Sequence, residues 1–387
     1  MEQRVLVVVG TRPEAIKLAP VIKQLSAAGP EVQPVICVTG QHREMVDDVL
    51  RLFEIAPDYD LDIMKQHQTA SGVFAAVLER IEPVLRRVRP QLALVQGDTT
   101  TAVAAALAAF HERVPVGHVE AGLRTDNIYD PFPEELNRRL VTQLTTLHFA
   151  ATGRAAERLI ADGITPDRVY LTGNPVVDAV HWIRSRGGVA GGSPPAMTRL
   201  ILVTAHRREN LGAPLERICT ALQMLVADHP DLEIVYPVHP NPLVTGPVRA
   251  ALGTTPRIRL LPPVSYPELL RYMDEAYLVL TDSGGLQEEA TVLGKPVLIM
   301  RETTERQEAI EAGAAELVGT DPTTITRRVA TLLRDRHAYS VMATPRDLFG
   351  DGRAAERIVR TIREFLVASE SATLASAPMA PSVATPA

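Results

Sequence analysis

Apolar residues along this chain fall into short unbroken runs, separated by longer stretches with helical periodicity. Val5-Leu6-Val7-Val8-Val9 is the clearest run. A run without polar alternation reads as a strand covered on both faces. In the first half, strands are expected at 4–9, 32–38, 92–96, 115–119 and 147–151. Helices are expected at 13–28, 42–53, 72–88 and 100–111, with partial helix over 132–147. Such alternation predicts a parallel sheet with helices on each side. The pattern stops at Gly187-Gly188-Val189-Ala190-Gly191-Gly192-Ser193-Pro194-Pro195 and then restarts. Further strands are expected at 200–204, 232–238, 258–261, 277–280 and 297–300, with helices at 214–228, 321–336 and 352–367. The class is therefore α/β, with two doubly wound parallel-sheet domains and a cleft between them. The expected divisions are 1–186, a linker at 187–198, 199–350, a final helix at 351–368, and an Ala/Ser/Pro/Thr-rich tail at 369–387 read as disordered. No short-period internal repeat is evident.

Open α/β sheets bind ligands beyond the carboxyl ends of their strands. The most informative such end is Thr281-Asp282-Ser283-Gly284-Gly285-Leu286-Gln287-Glu288-Glu289-Ala290, a strand running into a helix. Two glycines admit close approach, and the free N–H groups of a helix start suit a phosphate. Glu288 or Glu289, one turn on, suits a ribose. The plainer reading is a helix cap with a solvated acidic turn. After the first strand, Arg12 and Lys17 stand at a helix start, positioned for an anion or simply solvated. Asp98 in Gln96-Gly97-Asp98-Thr99 is a natural N-cap or a functional acid. Glu120, between Val119 and Ala121 at a strand end, is costly to bury unless paired or functional. Glu134 follows in Pro133-Glu134-Glu135 as a candidate helix cap. Three carboxylates from three loops can thus converge, and convergence drives their pKa values apart. His206, in Thr204-Ala205-His206-Arg207-Arg208-Glu209-Asn210, is a candidate phosphate donor or proton carrier. Further strand ends carry His239 and Arg306.

Composition narrows the field. The 387 residues are 46% hydrophobic and 22% charged, enough for two cores, and net charge is -6 without a long basic run. That argues against nucleic-acid binding. Cys37 and Cys219 lie far apart in apolar surroundings and read as buried thiols of a cytoplasmic protein. No apolar stretch reaches the ~20 residues of a membrane span, and no signal peptide is expected. The histidines lack metal-site spacing, so no metal is expected. The absence of G-x-G-x-x-G argues against a dinucleotide cofactor.

Taken in order, several stretches resemble the non-hydrolysing UDP-N-acetylglucosamine 2-epimerases of bacteria. They are Gly10-Thr11-Arg12-Pro13-Glu14-Ala15-Ile16-Lys17, Gln96-Gly97-Asp98-Thr99, His118-Val119-Glu120-Ala121-Gly122-Leu123-Arg124-Thr125, Pro133-Glu134-Glu135, His206-Arg207-Arg208-Glu209, Asp282-Ser283-Gly284-Gly285 with Gln287-Glu288-Glu289-Ala290, and Thr303-Thr304-Glu305-Arg306. The resemblance implies a GT-B-like fold of two Rossmann-like domains, with the last helix returning to the first domain. It also implies a cytoplasmic homodimer that needs no cofactor. The implied reaction interconverts UDP-N-acetylglucosamine and UDP-N-acetylmannosamine, through UDP elimination to a glycal and re-addition, for cell-surface polysaccharides.

By that resemblance Ser283, Gly284 and Gly285 take phosphate and Glu289 the ribose. Arg306, His206, Arg12 and Lys17 make further anion contacts, and Asp98, Glu120 and Glu134 face the sugar. His206 is counted with the catalytic candidates. Gln41, Arg207 and His239 are candidates for a second, activating substrate molecule. The chain departs from the family wording at Val264, Leu269, Asn174-Pro175-Val176-Val177-Asp178 and Asp347-Leu348-Phe349. The last two stretches are expected to lie away from the sugar-facing carboxylates. Competing readings are an epimerase of a modified UDP-sugar, a GT-B glycosyltransferase and a nucleotide-sugar sensor. Three carboxylates argue against the sensor, because added negative charge does not help bind an anion.

Overall fold

A computed structural model describes residues 3–40, 43–64, 69–125, 127–187 and 199–376. The first half runs β1 (Gln3–Val9), α1 (Arg12–Ala27), β2 (Val32–Val38), α2 (Arg43–Leu52), β3 (Tyr59–Asp60), α3 (Ala70–Val88) and β4 (Leu92–Gln96). It continues through α4 (Thr100–His111), β5 (Val116–Ala121), α5 (Glu134–Leu144), β6 (Leu147–Ala150), α6 (Gly153–Ala161), β7 (Val169–Leu171) and α7 (Pro175–Ser185). The second half runs β8 (Arg199–Thr204), α8 (Ala213–Asp228), β9 (Leu232–Pro237), α9 (Pro242–Leu252), β10 (Ile258–Leu261), α10 (Tyr266–Glu275) and β11 (Leu278–Thr281). It closes with α11 (Gly284–Val292), β12 (Val297–Ile299), α12 (Gln307–Glu311), β13 (Ala315–Leu317), α13 (Pro322–Arg334), α14 (Arg336–Met342) and α15 (Ala354–Ser376).

The strands form two parallel sheets, ordered β3-β2-β1-β4-β5-β6-β7 and β10-β9-β8-β11-β12-β13. Each order reverses beside its first strand, between β1 and β4 and between β8 and β11. Those switch points are where a doubly wound sheet opens a crevice at its carboxyl end. The fold is GT-B-like, as the motif set implied.

The apolar runs explain the strands directly. Val5, Leu6, Val7 and Val9 are fully buried, as strands covered on both faces require. Alanine-rich α4 is buried along most of its length, so it lies close against the sheet and against α3 and α5. α7 packs on α11 and joins the two halves through apolar contact. α15 returns to α1 and α7 in the first half. It continues to Ser376, eight residues past the expected boundary at 368, so the tail expected to be disordered from 369 begins as helix; no glycine or proline interrupts 354–376. Gly188–Thr198, the heart of the expected linker, lie outside the described residues. Among the described residues, no helix is long and apolar enough to cross a membrane. Cys37 and Cys219 are buried free thiols.

Candidate active site

The turn from β11 into α11 faces the first half across the cleft. Ser283 is the N-cap of α11, with its backbone N–H given to Thr281 Oγ1 at 2.9 Å. A Cβ at Gly284 would stand 2.6 Å from Arg306 Nη1, whereas one at Gly285 would meet open space. The Arg306 guanidinium therefore lies on the helix start, adding a full charge to the free N–H groups there.

Asp282 is fully buried and does not face the cleft. Its Oδ2 accepts from the backbone N–H groups of His206 and Arg207, each at 2.8 Å, and from Asn210 Nδ2 at 3.0 Å. The loop after β8 is thus pinned to the β11 turn. This holds His206 at the cleft, its ring stacked on His239 with centroids 5.2 Å apart and planes 8° apart. Arg207 is held in the same loop through its backbone N–H, and His239 lies against His206, while Gln41 lies outside the described residues.

Glu120 is the next-to-last residue of β5, with a φ of 66°, in a register irregularity between Val119 and Ala121 against β6. A left-handed glutamate at a strand end is strained and persists only when its surroundings hold it. Lys17 Nζ donates to its Oε2, as does Asn174 Nδ2 at 2.8 Å. Arg306 Nη2 reaches Oε1 at 3.4 Å from the opposite half. Burial alone would raise this carboxyl; Lys17 and Arg306 outweigh it and hold Glu120 below the ordinary carboxylate value. Lys17 is held above its ordinary value, Glu120 and Glu288 outweighing its own burial.

Arg306 also donates to Glu288 Oε1 and Glu305 Oε1, both at 2.8 Å. Asn174 Nδ2 bridges back to Glu288 Oε2 at 2.6 Å. Asn174 therefore touches Glu120 itself, which corrects the expectation that the departures at 174–178 lie apart from the sugar-facing carboxylates. The second departing stretch meets it too: Asn174 N–H donates to Phe349 O at 2.7 Å. Neither contact is legible in sequence, because each joins residues more than fifty positions apart in the chain.

Asp98 does not cap α4. Thr99 does, its hydroxyl accepting from Ala102 N–H at 3.0 Å. Asp98 is turned instead to Arg138, whose Nε and Nη2 each lie 2.8 Å from Oδ2. Glu134 is the first residue of α5, after an N-cap at Pro133. Burial, and then the nearby Asp98 charge, raise its carboxyl above the ordinary value. Glu120 and Glu134 are thus displaced in opposite directions.

On the remaining side of the cleft, Arg12 Nη2 donates to Val264 O at 3.1 Å. Glu289 Oε1 accepts from Tyr266 Oη at 2.8 Å. Burial lifts Glu289 to about 7 despite that bond.

Sequence reasoning passed over Glu14, Arg138, Asn174, Asp282 and Glu305 as site residues, and offered Glu288 only as an alternative to Glu289 for a ribose, where it instead holds Arg306 and Asn174. Glu14 is buried, accepts from Thr11 N–H at 2.6 Å and Thr99 Oγ1 at 2.9 Å, and is raised by burial to about 7. Its capping-box spacing after Thr11 was visible; its tie to the Asp98 loop was not. Beside this network lies a cavity of about 510 Å³ lined by Arg124, Thr125, Asp130, Thr304 and Glu305. A groove of about 770 Å³ between α1 and α15, lined by Ala27, Val359 and Val367, carries none of the site residues. Among the described residues no cluster of three His, Cys, Asp or Glu side chains stands ready for a metal.

Two facing doubly wound sheets, with a basic helix turn opposite a set of acids, define a GT-B-like α/β protein with an anion-binding cleft. A family model described as UDP-N-acetylglucosamine 2-epimerase matches residues 23–363. A protein of Escherichia coli K12 named UDP-N-acetylglucosamine 2-epimerase is 46% identical over 370 residues, 93% of this chain and 98% of that one. One of Ralstonia nicotianae, named as a probable UDP-N-acetylglucosamine 2-epimerase, is 48% identical over 94% of this chain and 99% of its own. The crystal structure of the Neisseria meningitidis UDP-GlcNAc 2-epimerase bound to UDP-GlcNAc has a TM-score of 0.89 at 42% identity, covering 94% of this chain and 100% of that one. The chain belongs to the UDP-N-acetylglucosamine 2-epimerase family.

Proposed function

We propose that this chain interconverts UDP-N-acetylglucosamine and UDP-N-acetylmannosamine. The observation that carries the reading is the contact of Glu120 with Arg306 across the cleft at 3.4 Å. It sets an acid of the first half against the cation lying on the Ser283-Gly284-Gly285 turn of the second.

Carbon 2 of the sugar bears no adjacent carbonyl, so its proton is not acidic on its own. Elimination removes the difficulty. UDP leaves carbon 1 as a proton leaves carbon 2, and the electrons of the C–H bond form the double bond of a glycal. A proton then adds to the other face of carbon 2 and UDP returns to carbon 1. The departing diphosphate gains charge and is stabilised by Arg306, Lys17, Arg12, His206 and the α11 N–H groups. Ser283, Gly284 and Gly285 hold its phosphates and Glu289 the ribose. Asp98, Glu120 and Glu134 carry the protons. Glu120, kept charged by Lys17 and Arg306, suits a base; Glu134, pushed towards its protonated form, suits an acid. Closure of the cleft retains the glycal.

The reading extends to quaternary structure and setting. Exposed Phe110 on α4 and Leu136 and Leu140 on the adjoining α5 support a homodimer, and the buried thiols support a cytoplasmic enzyme. The product supplies cell-surface polysaccharide assembly. The activation role of Arg207, His239 and Gln41 is a part of the same proposal.

The test is to give the purified protein UDP-N-acetylglucosamine alone and separate the nucleotide sugars. UDP-N-acetylmannosamine should appear without added cofactor or metal, and Asp98→Asn, Glu120→Gln and Glu134→Gln should each slow it at least 100-fold. Undiminished turnover in all three variants would defeat the proton assignments.

A further inference from the structure

One side chain touches an acid of the proposed site and reaches the opposite half of the protein as well. Arg138, on α5, is 3% exposed. Two of its nitrogens lie 2.8 Å from Asp98 Oδ2, and Nη1 donates to Glu135 Oε2 at 3.0 Å. Nη2 also donates to Glu305 Oε1 at 3.0 Å. Glu305 sits in the loop between β12 and α12 of the second half. It is itself held by Arg306 Nη1 at 2.8 Å and Arg301 Nη1 at 3.0 Å. Glu305 is buried and shares its two oxygens among three guanidinium groups, one from across the cleft.

Neither Glu305 nor Arg138 lies on the Gly284 turn, where the guanidinium is that of Arg306. Arg306 already lies on the phosphate turn, and Glu305 adds negative charge beside it. Its position makes sense as geometry. A planar guanidinium held at both ends has one orientation, and the Asp98 Oδ2 gripped by two of its nitrogens is fixed in place with it. Glu135 fixes Arg138 from within α5; Glu305 does so only when the second half is against the first.

We propose that Glu305 is a positioning residue for proton transfer, reaching across the cleft to orient Arg138 and, through it, the Asp98 carboxylate. The inference rests on the epimerase reading above. Opening the cleft to admit substrate pulls Glu305 from Arg138 and frees Asp98 to rotate. Closing it restores the fork. Asp98 is then aligned for proton transfer only while the glycal is enclosed, so bond cleavage at carbon 1 is tied to a cleft that can retain the intermediate. A misplacement on the order of 1 Å is enough to cost about 100-fold in rate.

The experiment compares wild type, Glu305→Gln, Arg138→Lys and the double variant, with UDP titration and thermal unfolding confirming a folded, ligand-binding protein. Glu305→Gln is expected to lower kcat about 10- to 100-fold, with KM and UDP affinity within about threefold of wild type. The fraction of turnovers ending in free glycal and UDP should rise. The isotope effect from deuterium at carbon 2 should also rise, because misaligned proton transfer becomes slower than the other steps. The double variant should be no slower than the slower single variant, as for groups acting in one chain. If Glu305→Gln does not fold, Arg138→Lys, which keeps the charge and loses the fork, must give the same pattern. Wild-type kcat in a folded single variant, or multiplying effects with no change in glycal release and isotope effect, would overturn the inference. Wild-type protein that forms neither epimer nor glycal would remove the epimerase reading itself, and this inference with it.

Discussion

Arg306 lies with its guanidinium against the backbone of Gly284, its Nη1 2.6 Å from the point where a side chain there would place its Cβ. Gly284→Ala must therefore move Arg306 off the helix start or shift the helix itself. Losing charge-assisted hydrogen bonds of this kind costs about 1.5–3 kcal/mol. We expect UDP affinity, measured by calorimetry, to fall on the order of 10- to 100-fold. Gly285→Ala, which meets open space in the protein itself, reports on the ligand: weaker UDP binding there identifies Gly285 as the point where phosphate meets backbone.

Lys17 and Glu120 form a buried ion pair. Removing Lys17 leaves Glu120 buried with Asn174 and the longer Arg306 contact, a loss approaching the ~3–5 kcal/mol of a buried pair broken outright. Lys17→Met should lower the free energy of unfolding in urea by that order. Lys17→Met combined with Glu120→Leu should recover much of the loss and remain inactive, separating the pair's structural part from its chemical one.

Glu289 supplies a pH dependence with a definite sign. Its folded value is raised from 4.5 to about 7, so between those values the folded state binds the extra proton. The stabilisation is complete below about 4.5 and is lost as pH rises through about 7. At ~1.4 kcal/mol per unit, the change is on the order of 3 kcal/mol. Glu289→Gln keeps an acceptor for Tyr266 and carries no titration. Its stability relative to wild type should improve as pH rises from 4.5 to 7, as followed by urea unfolding across that range. A flat difference would mean that Glu289 has a partner that keeps its charge.

His118 acts in the opposite sense. It is fully buried on β5, with Nε2 donating to Gly97 O at 2.7 Å. Burial lowers it from 6.5 to about 4. The unfolded chain takes up a proton as pH falls through 6.5 while the folded protein does not, so stability is lost between 6.5 and about 4. His118→Phe should flatten the unfolding profile over that window, at some cost from the lost bond to the loop carrying Asp98.

Much of the fold was legible because the buried strands announce themselves. The spans of β2, β4, β10 and α4 coincide with the apolar and alanine-rich runs. Elements missed besides the helices α6, α12 and α14 divide by cause. β3, β7 and β13 hold two or three residues each, too short for any periodicity. α7, α9 and α10 had signals that went unused: caps at Asn174, Asn241 and Ser265, each followed by a helix with proline in its first turn, and a Ser265–Glu268 capping box. In the site, strand-end position was enough to single out Glu120, Lys17, Arg306 and the Ser283 turn, which the structure brings together. Asp98 was read as either an N-cap or a functional acid; it is not the cap, since Thr99 takes that place. The contacts of Glu305 with Arg138 and of Asn174 with Glu288 were beyond reach, because they exist only when two sheets far apart in sequence face each other.

The most direct test of the central claim is proton NMR of UDP-N-acetylglucosamine incubated with the protein alone in deuterated water. The account predicts UDP-N-acetylmannosamine carrying deuterium at carbon 2, with deuterium entering recovered substrate at the same carbon. Formation of the epimer with its carbon 2 proton wholly retained from substrate, or unchanged substrate under conditions where it binds, would contradict it.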